Sequence, residues 1–211
     1  MRILAPFIAL LLALPAMAGS AAPAPVPLAS LVGQVDIPFE SFTLANGLRV
    51  VVHTDRKAPL VSVGVWYHVG SKDEPLGKSG YAHLFEHLMF YGSEHSPGQH
   101  FAPLEAVGAT DFNGTTSFDR TNYFQTVPTP ALDLALFLES DRMGWLLPVL
   151  DQKKLDAQRK VVLNEKRQGE NEPYGKVGDA LLAALFPADN PYQQSSIGRT
   201  ADLEKATLAD A

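Results

Sequence analysis

The sequence contains no cysteine. That excludes disulfide cross-links, thiolate metal sites, a thiol nucleophile and a lipid-anchored N-terminal cysteine, so any metal must be held by histidine and carboxylate. Cations are scarce as well: 17 Lys and Arg stand against 23 Asp and Glu, a formal net charge of −6. A protein that grips nucleic acid non-specifically needs a basic face, and this balance argues against such a partner. Nor is the apolar run Ile3–Leu14 a membrane span; at 12 residues it is well short of the ~20 that a bilayer requires. What remains is ordinary globular material. With 46% hydrophobic and 19% charged residues in a chain of 211, there is enough for about one domain with a sizeable core.

The first residues read as an address. Arg2 precedes Ile3–Leu14, then Pro15 and the small-x-small ending Ala16-Met17-Ala18, the pattern of a secretory signal peptide over residues 1–18. The alternative is an uncleaved anchor. Cleavage after Ala18 implies a secreted or periplasmic chain with no membrane span left. Residues 19–37 form an Ala/Pro-rich linker (GSAAPAPVP at its start) that builds neither helix nor central strand. The folded part is expected over residues 38–211.

Within it, Asn46-Gly47 between apolar flanks predicts a hairpin with a type I′ turn. Strict alternation through Val61, Val63, Val65, Tyr67 and Val69 predicts a half-buried strand. Ser79 is positioned to cap a helix from about Gly80 to Tyr91. A second hairpin is expected from Asp111–Thr116 and Thr121–Val127, turning through Ser117–Arg120. Thr129-Pro130 opens a helix to about Trp145, and further helices are expected over Asp151–Gln168 and Gly175–Leu185. Strands first, then helices with a strand pair between, predict an α+β fold: a largely antiparallel sheet with helices on one face.

The helix after Ser79 reads Gly80-Tyr-Ala-His83-Leu-Phe-Glu86-His87-Leu-Met-Phe90. At about 100° per residue, His83, Glu86, His87 and Phe90 share one side. Tyr81, Leu84, Phe85, Leu88 and Met89 form an apolar stripe on the other. Two imidazoles one turn apart can reach a single ion, and the acid between them projects about 100° away from His87. A solvated helix face would instead carry Lys, Glu and Gln.

H-x-x-E-H is the inverted zinc-peptidase motif. With it come Gly77-x-x-Gly80 upstream and Gly92 downstream, the block Gly108–Tyr123 (GATDFNGTTSFDRTNY) and the block Gln158–Gln168 (QRKVVLNEKRQ). In these blocks and their order the chain resembles the pitrilysin/insulinase family of zinc metallopeptidases, which includes the mitochondrial processing peptidases. The resemblance runs from about Phe42 to the C-terminus. It implies one Zn²⁺ per chain, held by His83, His87 and Glu165, with Glu86 as general base. It also implies hydrolysis of peptides or small unfolded proteins by a metal-activated water. Asn113 and Gly114 match the step beside which a peptide substrate adds as an extra strand.

Read by residue alone, Glu165 falls between Val161 and Val162 on the apolar side of its helix, where a carboxylate is costly unless a cation meets it. Lys166 lies near the same arc, and a solvated helix end stays possible. Glu94, His95, His100, Glu105 and Asp111 are rival third ligands. Asn113-Gly114 reads equally as a turn or bulge, and Phe90, Phe112 and Phe118 as a pocket or as core. Where the family often places a second acid, this chain has Gln158. The family is built from two similar half-units, so the resemblance also implies that the domain is C-terminally incomplete and needs a second homologous half-unit or subunit. The alternative is a non-catalytic member acting as a scaffold or binding subunit; such subunits usually lose the His-Glu-His set, which is intact here.

Overall fold

The computed structural model describes residues 36–210; the expected signal peptide and nearly all of the linker lie outside them. The chain divides into two compact units between Asp55 and Arg56.

The first unit carries the hairpin of β1 (Glu40–Thr43) and β2 (Arg49–Val52), antiparallel with Glu40 opposite Val52 and Thr43 opposite Arg49. Its turn differs from the expected type I′. Gly47 alone is left-handed (φ +91°); its N–H donates to Leu44 O at 2.9 Å, while Leu44 N–H donates to Leu48 O. This is the three-residue loop in which a left-handed glycine follows the turn. Asn46 contributes its side chain instead of a positive φ: Oδ1 accepts the Leu48 N–H at 3.1 Å.

The second unit begins with β3 (Leu60–Tyr67), whose alternating half-buried residues are Val61, Val63, Val65 and Tyr67. Two helices follow, α1 (Tyr81–Leu88) and α2 (Phe101–Ala106), and then the hairpin of β4 (Thr110–Thr116) and β5 (Thr121–Pro128). The sheet order is β3–β5–β4, antiparallel throughout, so β4 is an edge. A register shift between Thr110 and Asn113, with Asp111 at φ +51°, makes a bulge at the start of β4. Helices α3 (Leu132–Trp145), α4 (Gln152–Asn171), α5 (Val177–Leu185) and the short α6 (Thr200–Leu203) complete the unit.

The helices cover one face of the sheet, as the sequence pattern predicts. Val127 of β5 is fully buried with Leu104 of α2 and with Ala135 and Leu138 of α3. On the opposite face Trp66 remains 62% exposed, and the Arg120 guanidinium stacks on its ring at 5.1 Å. Helix α2 had no counterpart in the periodicity. It is one and a half turns long and contains Pro103, which is tolerated in a first turn whose N–H groups have no helical partner.

Candidate metal centre

Helix α1 is held by its apolar stripe. Leu84 and Leu88 are buried against Leu155 and Val162 of α4 and Leu203 of α6, each contributing about 1.5–3 kcal/mol of transfer free energy. With that side committed, the His-Glu-His side points at α4 and the sheet. The helix is shorter than expected, ending at Leu88, and Ser79 does not cap it. Ser79 donates its hydroxyl to the Asp202 carboxylate at 2.6 Å. The N-terminal N–H groups go to Glu74, whose two oxygens accept from Gly80 at 2.9 Å and Ala82 at 2.8 Å. Burial pushes the Glu74 carboxyl up to about 7, against the pull of those N–H groups.

Helix α4 is capped by Asp151, whose side chain accepts the Lys154 N–H at 2.8 Å, a cap that contributes about 1 kcal/mol. From there Leu155, Gln158, Val162 and Glu165 recur at three- and four-residue spacing, one stripe facing α1. The two apolar members enter the core, and the two polar members meet the histidines. Lys166 turns out of this stripe and pairs with Glu170 at 2.9 Å.

His83 Nε2 and His87 Nε2 are 3.3 Å apart. A Glu165 carboxylate oxygen lies 3.8 Å from the first and 3.4 Å from the second. Bonds of 2.0–2.1 Å in tetrahedral geometry place ligand atoms ~3.3–3.4 Å from one another. Two of the three observed separations match, and the third exceeds this by a few tenths of an ångström. The donor set suits zinc, which accepts imidazole and carboxylate without thiolate. Among the described residues these three form the single His/Asp/Glu group able to share an ion. The rival third ligands are placed otherwise: His95 pairs through Nδ1 with Asp141 at 2.7 Å, His100 is buried elsewhere in the unit, and Glu94, Glu105 and Asp111 are exposed.

The surroundings tune each group. His87 Nδ1 lies 3.1 Å from Gln158 Oε1; with the proton on Nδ1, Nε2 keeps its lone pair for a metal. Burial, and secondly the adjacent His87 ring, push His83 down to about 4, so its imidazole need lose no proton at neutral pH to act as a ligand. Glu86 is buried against the sheet and accepts the Thr116 hydroxyl at 2.6 Å. Burial raises its pKa; Thr116 and His87 pull it down, and Glu165 adds to the rise. Sequence reasoning missed Glu74 and Thr116. Both act by hydrogen bonds across loops and strands, which no periodicity reports.

Asn113 and Gly114 lie on the edge strand β4. Gly114 pairs with Tyr123, and a β-carbon there would approach Phe90 Cζ to 2.7 Å, so the glycine is required by close packing. The Asn113 side chain is exposed, and its Oδ1 accepts the Gly114 N–H at 2.9 Å. The three phenylalanines form no common pocket. Phe90 and Phe112 join the interior through Phe101, whereas Phe118 stacks on Tyr192 at 5.1 Å.

An antiparallel α+β layer with H-x-x-E-H on its first helix places the chain among the inverted-motif metallopeptidase folds. Residues 49–198 match Insulinase (Peptidase family M16), and the chain belongs to that family. It is 35% identical over 185 residues to the zinc protease PqqE of Helicobacter pylori, covering 86% of this chain and 41% of that protein. A crystal structure of a protease from Helicobacter pylori superposes with a TM-score of 0.76 at 34% identity, over 82% of this chain and 41% of that one. The first half of the periplasmic protease PqqL from Escherichia coli gives a TM-score of 0.73 at 25% identity, over 82% of this chain and 38% of the other. The chain thus spans about two fifths of the length of these relatives. Among the described residues no helix is long and apolar enough to cross a membrane.

Proposed function

We propose that this chain is the zinc-binding half of an exported metalloendopeptidase that hydrolyses peptides or small unfolded proteins. The reading rests above all on one observation: ligand atoms of His83, His87 and Glu165 converge within 3.8 Å of one another, two of the three separations being tetrahedral, with a buried carboxylate, Glu86, on the same helix face. Zn²⁺ bound there supplies the Lewis acidity that acidifies water and polarises a peptide carbonyl. Glu86 accepts the proton of the attacking water and returns it to the leaving amine. The Thr116 hydroxyl, donated to Glu86 at 2.6 Å, holds that carboxylate in place. Asn113 and Gly114 offer the open edge of β4, where an extended peptide adds as a further strand through main-chain hydrogen bonds.

In this reading residues 1–18 are removed on export to the periplasm or exterior, residues 19–37 are a linker, and residues 38–211 are the zinc-peptidase unit. A second homologous half-unit completes the substrate enclosure. The coverage of two fifths of the relatives supports that requirement. The test is Glu86→Gln, assayed alone and mixed with the separately produced second half of the Helicobacter pylori relative. Zinc content is expected to be unchanged and peptide cleavage lost. Cleavage at the wild-type rate removes Glu86 from the chemistry, and robust turnover by the chain alone refutes the need for a second half.

A further inference from the structure

Helix α1 carries two zinc ligands and the general base within eight residues, yet it begins on a residue that cannot cap it. Gly80 has φ +88° and no side chain, and the neighbouring Ser79 is engaged with Asp202. An isolated helix of this length does not persist in water, so its N-terminal turn is placed from outside. The two carboxylate oxygens of Glu74, six and eight positions upstream, take the Gly80 and Ala82 N–H groups. Ala82 directly precedes His83.

The three functional side chains of α1 are not equally held. His87 has Gln158 on its second nitrogen, and Glu86 has the Thr116 hydroxyl. His83 has neither; its Nδ1 is buried without a hydrogen-bond partner. The direction of the His83 ring therefore depends on where the backbone of the first turn sits, and that turn is anchored through Glu74. A β-carbon on Gly80 would meet Ile197 O at 2.7 Å, so the turn has no room to slide towards the 197–198 segment. We infer that Glu74 is a positioning residue of the metal centre, which sets His83 for coordination by clamping the first turn of α1. The inference rests on the zinc reading above.

The test uses the 211-residue chain carrying Glu74→Ala or Glu74→Gln, with Leu104→Ala as a control. Leu104 is fully buried in the cluster of α2, α3 and β5, so its truncation lowers stability without touching α1. Zinc affinity is measured by chelator competition, and the site geometry by the visible absorption of the Co²⁺-loaded chain. Glu74→Ala is expected to weaken zinc about tenfold or more, as loss of groups that orient metal ligands generally does, and to alter the Co²⁺ spectrum. Glu74→Gln keeps a single carbonyl acceptor and is expected to fall between. Leu104→Ala is expected to leave affinity and spectrum unchanged. Wild-type affinity and spectrum in Glu74→Gln, or in Glu74→Ala, overturn the inference, and so does an equal loss in Leu104→Ala. Should Glu74→Ala fail to fold, Glu74→Gln decides the matter alone. A wild-type chain whose zinc binding is indifferent to Glu165→Ala instead overturns the parent reading of the site. Binding that needs Glu165 but ignores Glu74 overturns this inference alone.

Discussion

His87 Nδ1 lies 3.1 Å from the side-chain oxygen of Gln158, a residue 71 positions further along the chain. An amide holds the ring here through a neutral hydrogen bond, where a carboxylate would add charge. Gln158→Leu removes the acceptor from a buried nitrogen and is predicted to lower zinc affinity about 10–100-fold. Gln158→Glu is predicted to restore or exceed the wild-type value, since a carboxylate raises the basicity of the ligand. Chelator competition at neutral pH measures both; equal affinity in all three chains would show that Gln158 does not orient His87.

Much of this arrangement was legible in the sequence. The apolar stripe of α1 and its opposed His-Glu-His face follow from helical spacing, and Leu84 and Leu88 are buried as that spacing requires. The β4–β5 hairpin falls within a residue of the expected Asp111–Thr116 and Thr121–Val127, with its turn at Ser117–Arg120. Glu165 was less legible. Its position beside Val162 marked a carboxylate on an inward stripe, but only the packing of α4 on α1 brings it to the histidines. The cap of α1 was misread. Ser79 has the right chemistry for an N-cap, and the competing carboxylate of Asp202, 123 positions away, took its hydroxyl. Glu74 then served the helix from a loop whose path no local pattern encodes.

Glu165→Ala removes the only carboxylate of the group and is predicted to cut zinc affinity at least as severely as Gln158→Leu. Glu165→Gln keeps the shape but not the charge, and is predicted to bind more weakly than wild type. Elemental analysis after dialysis reads both; undiminished zinc in Glu165→Ala would exclude it as a ligand.

Acid sensitivity should trace to buried imidazoles. Burial, and secondly the Arg142 guanidinium, depress His100 from its ordinary 6.5 to about 3. Between those values the unfolded chain binds a proton that the folded chain does not, so stability is intact above about pH 6.5 and falls as pH drops towards 3. His83 adds a like loss in the zinc-free chain between 6.5 and about 4. Glu74 works in the opposite sense: raised from 4.5 to about 7, it withdraws stability as pH rises through that window. His100→Leu is predicted to flatten the acid limb of the urea-midpoint profile below pH 6.5. An unchanged slope would assign the acid loss elsewhere.

Arg142 and Glu139 form an ion pair beneath the sheet, both almost wholly buried, with Nε 2.9 Å from Oε2 and the guanidinium 4.0 Å from the Tyr123 ring centre. Arg142→Met strands the Glu139 carboxylate and is predicted to cost about 3–5 kcal/mol. Adding Glu139→Leu to it should recover most of that loss, because an apolar pair tolerates the site better than a lone charge. Urea unfolding of the single and double variants measures the difference, and a double variant no better than the single would contradict this account of the pair.

The most direct measurement is X-ray absorption at the zinc edge on the metal-loaded 211-residue chain and on its Glu165→Ala variant. The wild-type spectrum is predicted to show two imidazole nitrogens with oxygen ligands completing the shell, and the variant to bind zinc weakly with the carboxylate contribution gone. A shell containing other than two imidazoles, or one that survives Glu165→Ala unaltered, would contradict the convergence of His83, His87 and Glu165 on one ion.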